Sequence, residues 1–248
     1  MQPLTTLICG NHAREGTTGQ VLSHLADTLD RLLVHSKKLQ NAGDEIDLSL
    51  FGPWLARATI EVSFTALLSR FDPFRILSIR RSQLSNSYDP KDRNRLAFNW
   101  SFDVKGEDKI KDWDQKPAAT ELQRALLCKH FNDVFWEEAF TTLLDSVPIH
   151  KGGSWMTRLK RIYPEGFTSF MRTEADHVYS ALSKGVHHEF VIPVAAQYDV
   201  STVKDLMSRS WELAAALGLT TSFSPAVKAL LTVDPVVLYE EAQKELYT

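Results

Sequence analysis

Cysteine is nearly absent from this chain. Cys9 and Cys128 are the only two in 248 residues, too few and too isolated for a disulfide framework or a thiolate zinc site. A reducing, cytoplasmic setting is the natural expectation. Long apolar runs are missing too. Nothing approaches the roughly eighteen residues of a membrane-spanning segment, and residues 1–10 lack the basic start and apolar stretch of a signal peptide. Neither sign of charge dominates, with 28 Lys and Arg against 31 Asp and Glu. No global field therefore draws the chain toward nucleic acid or an anionic membrane.

Catalytic and cofactor motifs are equally scarce. Gly10, Gly16 and Gly19 lack the Gly-Lys-Ser/Thr ending of a P-loop, and no His-Glu-x-x-His spacing exists. Ser63 and Ser69 have no Gly-x-Ser-x-Gly context, and Cys9 has no base nearby in sequence. No nucleotide, metal or other cofactor is expected. What remains is an ordinary globular composition, 44% hydrophobic and 24% charged. The length is enough for a sizeable core.

Apolar residues recur with helical period along most of the chain. Thr17-Thr18 reads as an N-cap, followed by Val21, Leu22, Leu25, Leu29, Leu32 and Leu33 on one face to about Gln40. Pro53 reads as a first-turn residue. The helix after it is apolar nearly all round through Leu68, as a central, buried helix would be. Asp72-Pro73 punctuates, and a third helix resumes over Phe74–Leu84. Pro117 reopens helix to about Asp145, and Ser154–Tyr163 reads as a short basic helix. Thr173 with Asp176, and Ser201-Thr202 with Asp205, read as capping boxes. Gly218 reads as a stop, with Ser224-Pro225 and Asp234-Pro235 opening two last helices. The expectation is a single all-α domain over 1–248 with seven to nine helices, residues 201–248 packing on the main bundle.

Residues 85–116 interrupt this pattern. Charged and small residues are mixed there with Phe98, Trp100, Phe102 and Trp113, and Leu96–Phe102 alternates as a strand would. An insertion of this length is more often functional than passive. Exposed Trp100, Phe102 and Trp113 would be natural anchors for a protein partner, since aromatic residues dominate interface hot spots.

The densest run of ionisable groups is Ser183–Glu189, which contains Lys184, His187, His188 and Glu189. It fits half of a catalytic constellation, a hinge at Gly185, or a helix end satisfying its own carbonyls. Adjacent His187 and His188 point apart, so one is expected buried and hydrogen-bonded, the other exposed. Upstream, Arg172-x4-His177 resembles the Arg-x4–6-His motif of HEPN-domain ribonucleases, and Arg124-x5-His130 is a second match. The resemblance implies metal-independent RNA cleavage. His177 would move a proton and Arg172 would stabilise charge on the scissile phosphate. The plainer reading has Arg172 preceding a helix N-terminus whose dipole Glu174 and Asp176 complement. Basic residues beside aromatics (Arg70, Arg75, Arg80 and Arg81 near Phe71 and Phe74) give a weak nucleic-acid signal. A solvated face paired with acids explains them as well.

Two segments, Leu55–Glu61 running into Leu68–Arg75, and Tyr179–Glu189, resemble helical accessory proteins of bacterial antiviral operons. These include the middle component of three-component systems built around an SMC-like ATPase and a nuclease. That resemblance implies assembly into a larger complex, with ATPase or nuclease subunits as partners, and supplies no catalytic residues. The primary expectation is a non-catalytic interaction subunit contacting partners through Trp100, Phe102, Trp113, His187 and His188. A ribonuclease using Arg172 and His177 is the alternative, and it requires both side chains in one open groove.

Overall fold

Every regular element is helical in a computed structural model that describes residues 1–11, 16–85, 88–89, 100–105, 125–148, 150–186, 198–227 and 231–246. Among the described residues ten α-helices follow one another: α1 (Pro3–Cys9), α2 (Gly16–Asn41), α3 (Glu45–Phe71), α4 (Pro73–Gln83), α5 (Lys129–Phe131), α6 (Glu137–Ser146), α7 (Gly153–Leu159), α8 (Phe167–Val186), α9 (Val200–Thr221) and α10 (Pro235–Leu246). One π-helical turn covers Trp100–Lys105, and another, Asn132–Trp136, joins α5 to α6. No strand occurs among the described residues. One continuous hydrophobic core takes side chains from all ten helices, so the chain is a single all-α domain.

The central helix, α3, starts eight residues before Pro53 because Asp44 caps it. The Asp44 carboxylate accepts the backbone N–H groups of Ile46 (2.9 Å) and Asp47 (3.0 Å), satisfying donors that a helix start leaves open. Pro53 therefore lies inside the helix. Ile60, Phe64, Leu67 and Leu68 are fully buried, walled by α2, α8 and α9. The helix ends at Asp72, whose N–H donates to the Leu68 carbonyl while its carboxylate accepts the Arg75 N–H and starts α4. Arg70, buried near the end of α3, donates to the Leu7 (3.2 Å) and Ile8 (2.8 Å) carbonyls at the C-terminal end of α1, where a cation is favoured.

Two glycines mark close helix crossings. A Cβ on Gly52 would stand 2.5 Å from Val203 Cγ1 of α9. A Cβ on Gly218 would stand 3.2 Å from Leu7 Cγ and from Ile8 Cγ1 of α1. Gly218 is thus not a stop, since α9 runs on to Thr221 and lies with both α3 and α1 against it.

Several boundaries differ from the sequence expectation for local reasons. Helix α8 begins at Phe167 rather than Thr173, and the Thr173 hydroxyl bonds back to the Ser169 carbonyl (2.9 Å) instead of capping. Arg172 therefore sits within a helix, not before one. Helix α9 is capped by Asp199, which accepts the Thr202 N–H (2.8 Å) and the Ser201 hydroxyl (2.7 Å). These bonds hold the exposed Asp199 carboxyl down at about 2. Leu126 and Leu127 lie in a turn, and helix starts only at Lys129. The strand reading of Leu96–Phe102 fails where it can be checked, because Trp100–Lys105 is a π-helical turn and 96–99 lie outside the described residues. Ser224-Pro225 opens a turn, whereas Asp234-Pro235 does open α10. No helix among the described residues is long and apolar enough to cross a membrane.

Candidate functional site

Arg172 and His177 share α8 but not a groove. Five residues of helix separate them by roughly 140° around the axis. Arg172 lines a cleft of about 400 Å³ with Lys129, Asn132, Asp133, Glu137 and Glu165. His177 lines a different one of about 620 Å³, between α8 and the start of α9, with Lys184, Ser201, Thr202 and Arg209. His177 Nδ1 lies 3.2 Å from an Arg209 guanidinium nitrogen, and Arg209 in turn pairs with Glu174 at 2.7 Å. The convergence that RNA cleavage by this pair requires is not present within one chain. In the second match, Arg124 lies outside the described residues.

The π-turn beside Arg172 satisfies itself. Asn132 accepts the Thr168 hydroxyl and donates to Glu137 (3.1 Å), and Trp136 Nε1 donates to the Leu126 carbonyl (2.7 Å). Such bulges often accompany functional sites, but these bonds are those of a helix junction. Among the described residues no three His, Cys, Asp or Glu side chains converge as metal ligands would.

Trp100 is not an exposed anchor. Its ring stacks between Tyr179, with centroids 4.0 Å apart, and Phe64, at 5.3 Å, both nearly parallel. The Tyr179 hydroxyl accepts from Arg57 and donates to Glu61, each at 2.7 Å, and Arg57 Nε donates to Glu61 at 3.0 Å. Burial, followed by the bond to Glu61, pushes the Tyr179 hydroxyl up to about 12. Nearby, buried Asp103 pairs with Arg75, and Lys105 pairs with Asp176 at 2.8 Å. Residues 100–105 of the 85–116 insertion are therefore fastened to α3, α4 and α8. The Phe102 side chain, Trp113, His187 and His188 lie outside what is described. Gly185 falls inside α8, which continues to Val186 rather than hinging there.

Four of the basic groups near aromatics are engaged within the fold, two of them inward and two at the surface. Arg70 serves α1, Arg75 serves Asp103, and Arg80 donates to Gln20 (3.0 Å). Arg158 pairs with Glu212. These contacts fit the reading of arginines paired within their own fold.

A different surface stands out. On the first half of α3, Ile46, Leu50, Phe51 and Trp54 are 78%, 56%, 49% and 54% exposed. Ile46, Leu50 and Trp54 follow the i, i+4, i+8 spacing that aligns side chains along one helix face. Opposite them on the same turns, Leu48, Gly52 and Leu55 are buried, and Pro53, beside the ridge, is buried too. Reading Pro53 as the helix start removed Ile46, Leu50 and Phe51 from view. The Asp44-Glu45 start signal, with acids in the first turn, was there to recover them. No protein-family model matches this chain, and no curated protein or solved structure matches it.

Proposed function

We propose that the chain is a non-catalytic helical interaction subunit, working in a bacterial antiviral assembly with an SMC-like ATPase and a nuclease. The observation that carries the interaction role is the outer face of α3. Four large apolar side chains stand about half or more exposed over three turns of the helix that otherwise forms the centre of the core. Contiguous exposed apolar patches rimmed by polar residues mark association sites. Asp44, Glu45 and Asp47 supply that rim. The choice of ATPase and nuclease as partners rests on the resemblance of Leu55–Arg75 and Tyr179–Glu189 to accessory subunits of such operons.

The test compares the tagged chain with a Leu50→Asp/Trp54→Asp variant, each expressed in the native host and isolated with its bound proteins. Wild type is expected to retain an ATPase or a nuclease subunit, and the variant to lose it. If both retain the same ATPase or nuclease, or neither retains one, this face does not hold those subunits.

A further inference from the structure

Resting on that reading of α3, we propose that the occupant of its outer face is a second copy of this chain, packed antiparallel across a two-fold axis that crosses the face midway between Leu50 and Trp54. Three features point there. The first is shape: Ile46, Leu50 and Trp54 form a ridge of i±4 spacing, the kind that two helices interdigitate most often. The axis sets Leu50 of each copy against Trp54 of the other, and Ile46 toward Ala58. An interface that repeats one patch on both subunits is the commonest form of oligomer contact.

The second feature is charge. Asp47 begins the face and has no side-chain partner among the described residues. Arg57 ends it, fixed by Glu61 and Tyr179 with its side chain still 28% exposed. Antiparallel pairing brings each Asp47 toward the other copy's Arg57, whereas parallel pairing sets acid against acid. The third is area. Two such faces offer on the order of 1,000 Å² of exposed apolar side chain, close to the lower bound of specific interfaces. That predicts a dimer that dissociates on dilution rather than a permanent one.

Sedimentation of the full chain over a wide concentration range tests this. Wild type is expected to shift from monomer to dimer, and Leu50→Asp/Trp54→Asp to remain monomeric with an unchanged thermal melt. Asp47→Lys, an exposed change that leaves the apolar ridge intact, should weaken the dimer roughly fivefold, as loss of two rim ion pairs of about 0.5 kcal/mol each does. A wild-type chain that stays monomeric at every concentration overturns the proposal. So does a dimer that survives the double substitution, because it must use another face. If the chain is monomeric yet the double variant still sheds its ATPase or nuclease, the dimer is wrong and the interaction role of α3 stands.

Discussion

The two halves of α3 have similar apolar content and opposite fates. From Ile60 to Leu68 every large apolar side chain but the partly buried Val62 is enclosed, by α2, α8 and α9 and by the Trp100 ring stacked on Phe64, and only Glu61 and Thr65 otherwise keep a share of solvent. From Ile46 to Trp54 its inner side is just as tightly held, yet its outer side carries bare Leu, Phe and Trp. Burial follows where neighbours lie, not hydrophobicity alone, so a helix apolar all round is only half an argument for being central. The bare half gathers four exposed apolar side chains on three turns of one helix, surface open to association. The largest expected effect therefore lies in the other half. Phe64→Ala removes a fully buried ring and the face on which Trp100 stacks, and should cost about 3–5 kcal/mol in chemical denaturation. A loss under about 1 kcal/mol would mean the enclosed half is loosely packed and the contrast is false.

Next in size is the inner side of the bare half. Gly52→Ala gains about 1 kcal/mol of helix propensity. It must also place a Cβ 2.5 Å from Val203 Cγ1, too close without movement of α9. Overpacking of that kind costs about 1–3 kcal/mol, so a net loss of up to about 2 kcal/mol is expected in the same measurement. A stabilised variant would show that α3 and α9 separate easily, and that the bare half is poorly anchored on both sides.

The all-α class was legible because period 3.6 dominates segments such as Leu22–Leu33, and their buried faces are those the periodicity marks. Helix starts were harder to read. Thr173 with Asp176 and Ser201-Thr202 with Asp205 satisfy a capping pattern, but Phe167 and Asp199 start those helices, because tertiary packing and a stronger carboxylate cap decide between competing starts. Helix α1 was passed over although Leu4, Leu7 and Ile8 follow Pro3 at helical spacing. A seven-residue helix has too few turns to signal itself, and what holds it is packing on α9 and α10 together with Arg70. The candidate site suffered most. Arg172 and His177 satisfied a spacing but diverge in space, and Trp100 satisfied a residue preference but serves the core. The exposed face of α3 lay upstream of a misplaced boundary.

A smaller effect examines the end of the enclosed half, where Arg70 meets α1. Cys9 sits there, 1% exposed. Burial, opposed in part by Arg70, pushes its thiol from 9.0 up to about 12. Below pH 9 both folded and unfolded chains keep this proton, so Cys9 adds no pH dependence. Between about 9 and 12 the unfolded thiol ionises while the folded one does not. The unfolded state then binds fewer protons, and stability falls as pH rises, by on the order of 1 kcal/mol per pH unit. Comparing the alkaline slopes of wild type and Cys9→Ala isolates this group from Lys and Tyr residues that titrate in the same range. Parallel slopes would mean that water reaches Cys9 and that this end of α3 is not sealed.

The smallest effect on folding is expected on the outer face itself. Leu50 and Trp54 each keep more than half of their surface in water, so replacing them by Asp removes little buried area. Substitutions at such positions usually change stability by no more than about 0.5 kcal/mol. Asp near the start of a helix also opposes its dipole favourably, although Leu50 lies past the first turn where that effect is felt. The double variant should therefore melt within a few degrees of wild type when both are measured at a dilution where wild type is monomeric. At higher concentration the wild-type melt should rise while the variant's stays fixed, because a partner that binds only the folded state stabilises it by mass action. A variant that unfolds readily at all concentrations would show that these side chains support the fold of their own chain, and the distinction between the two halves of α3 would disappear.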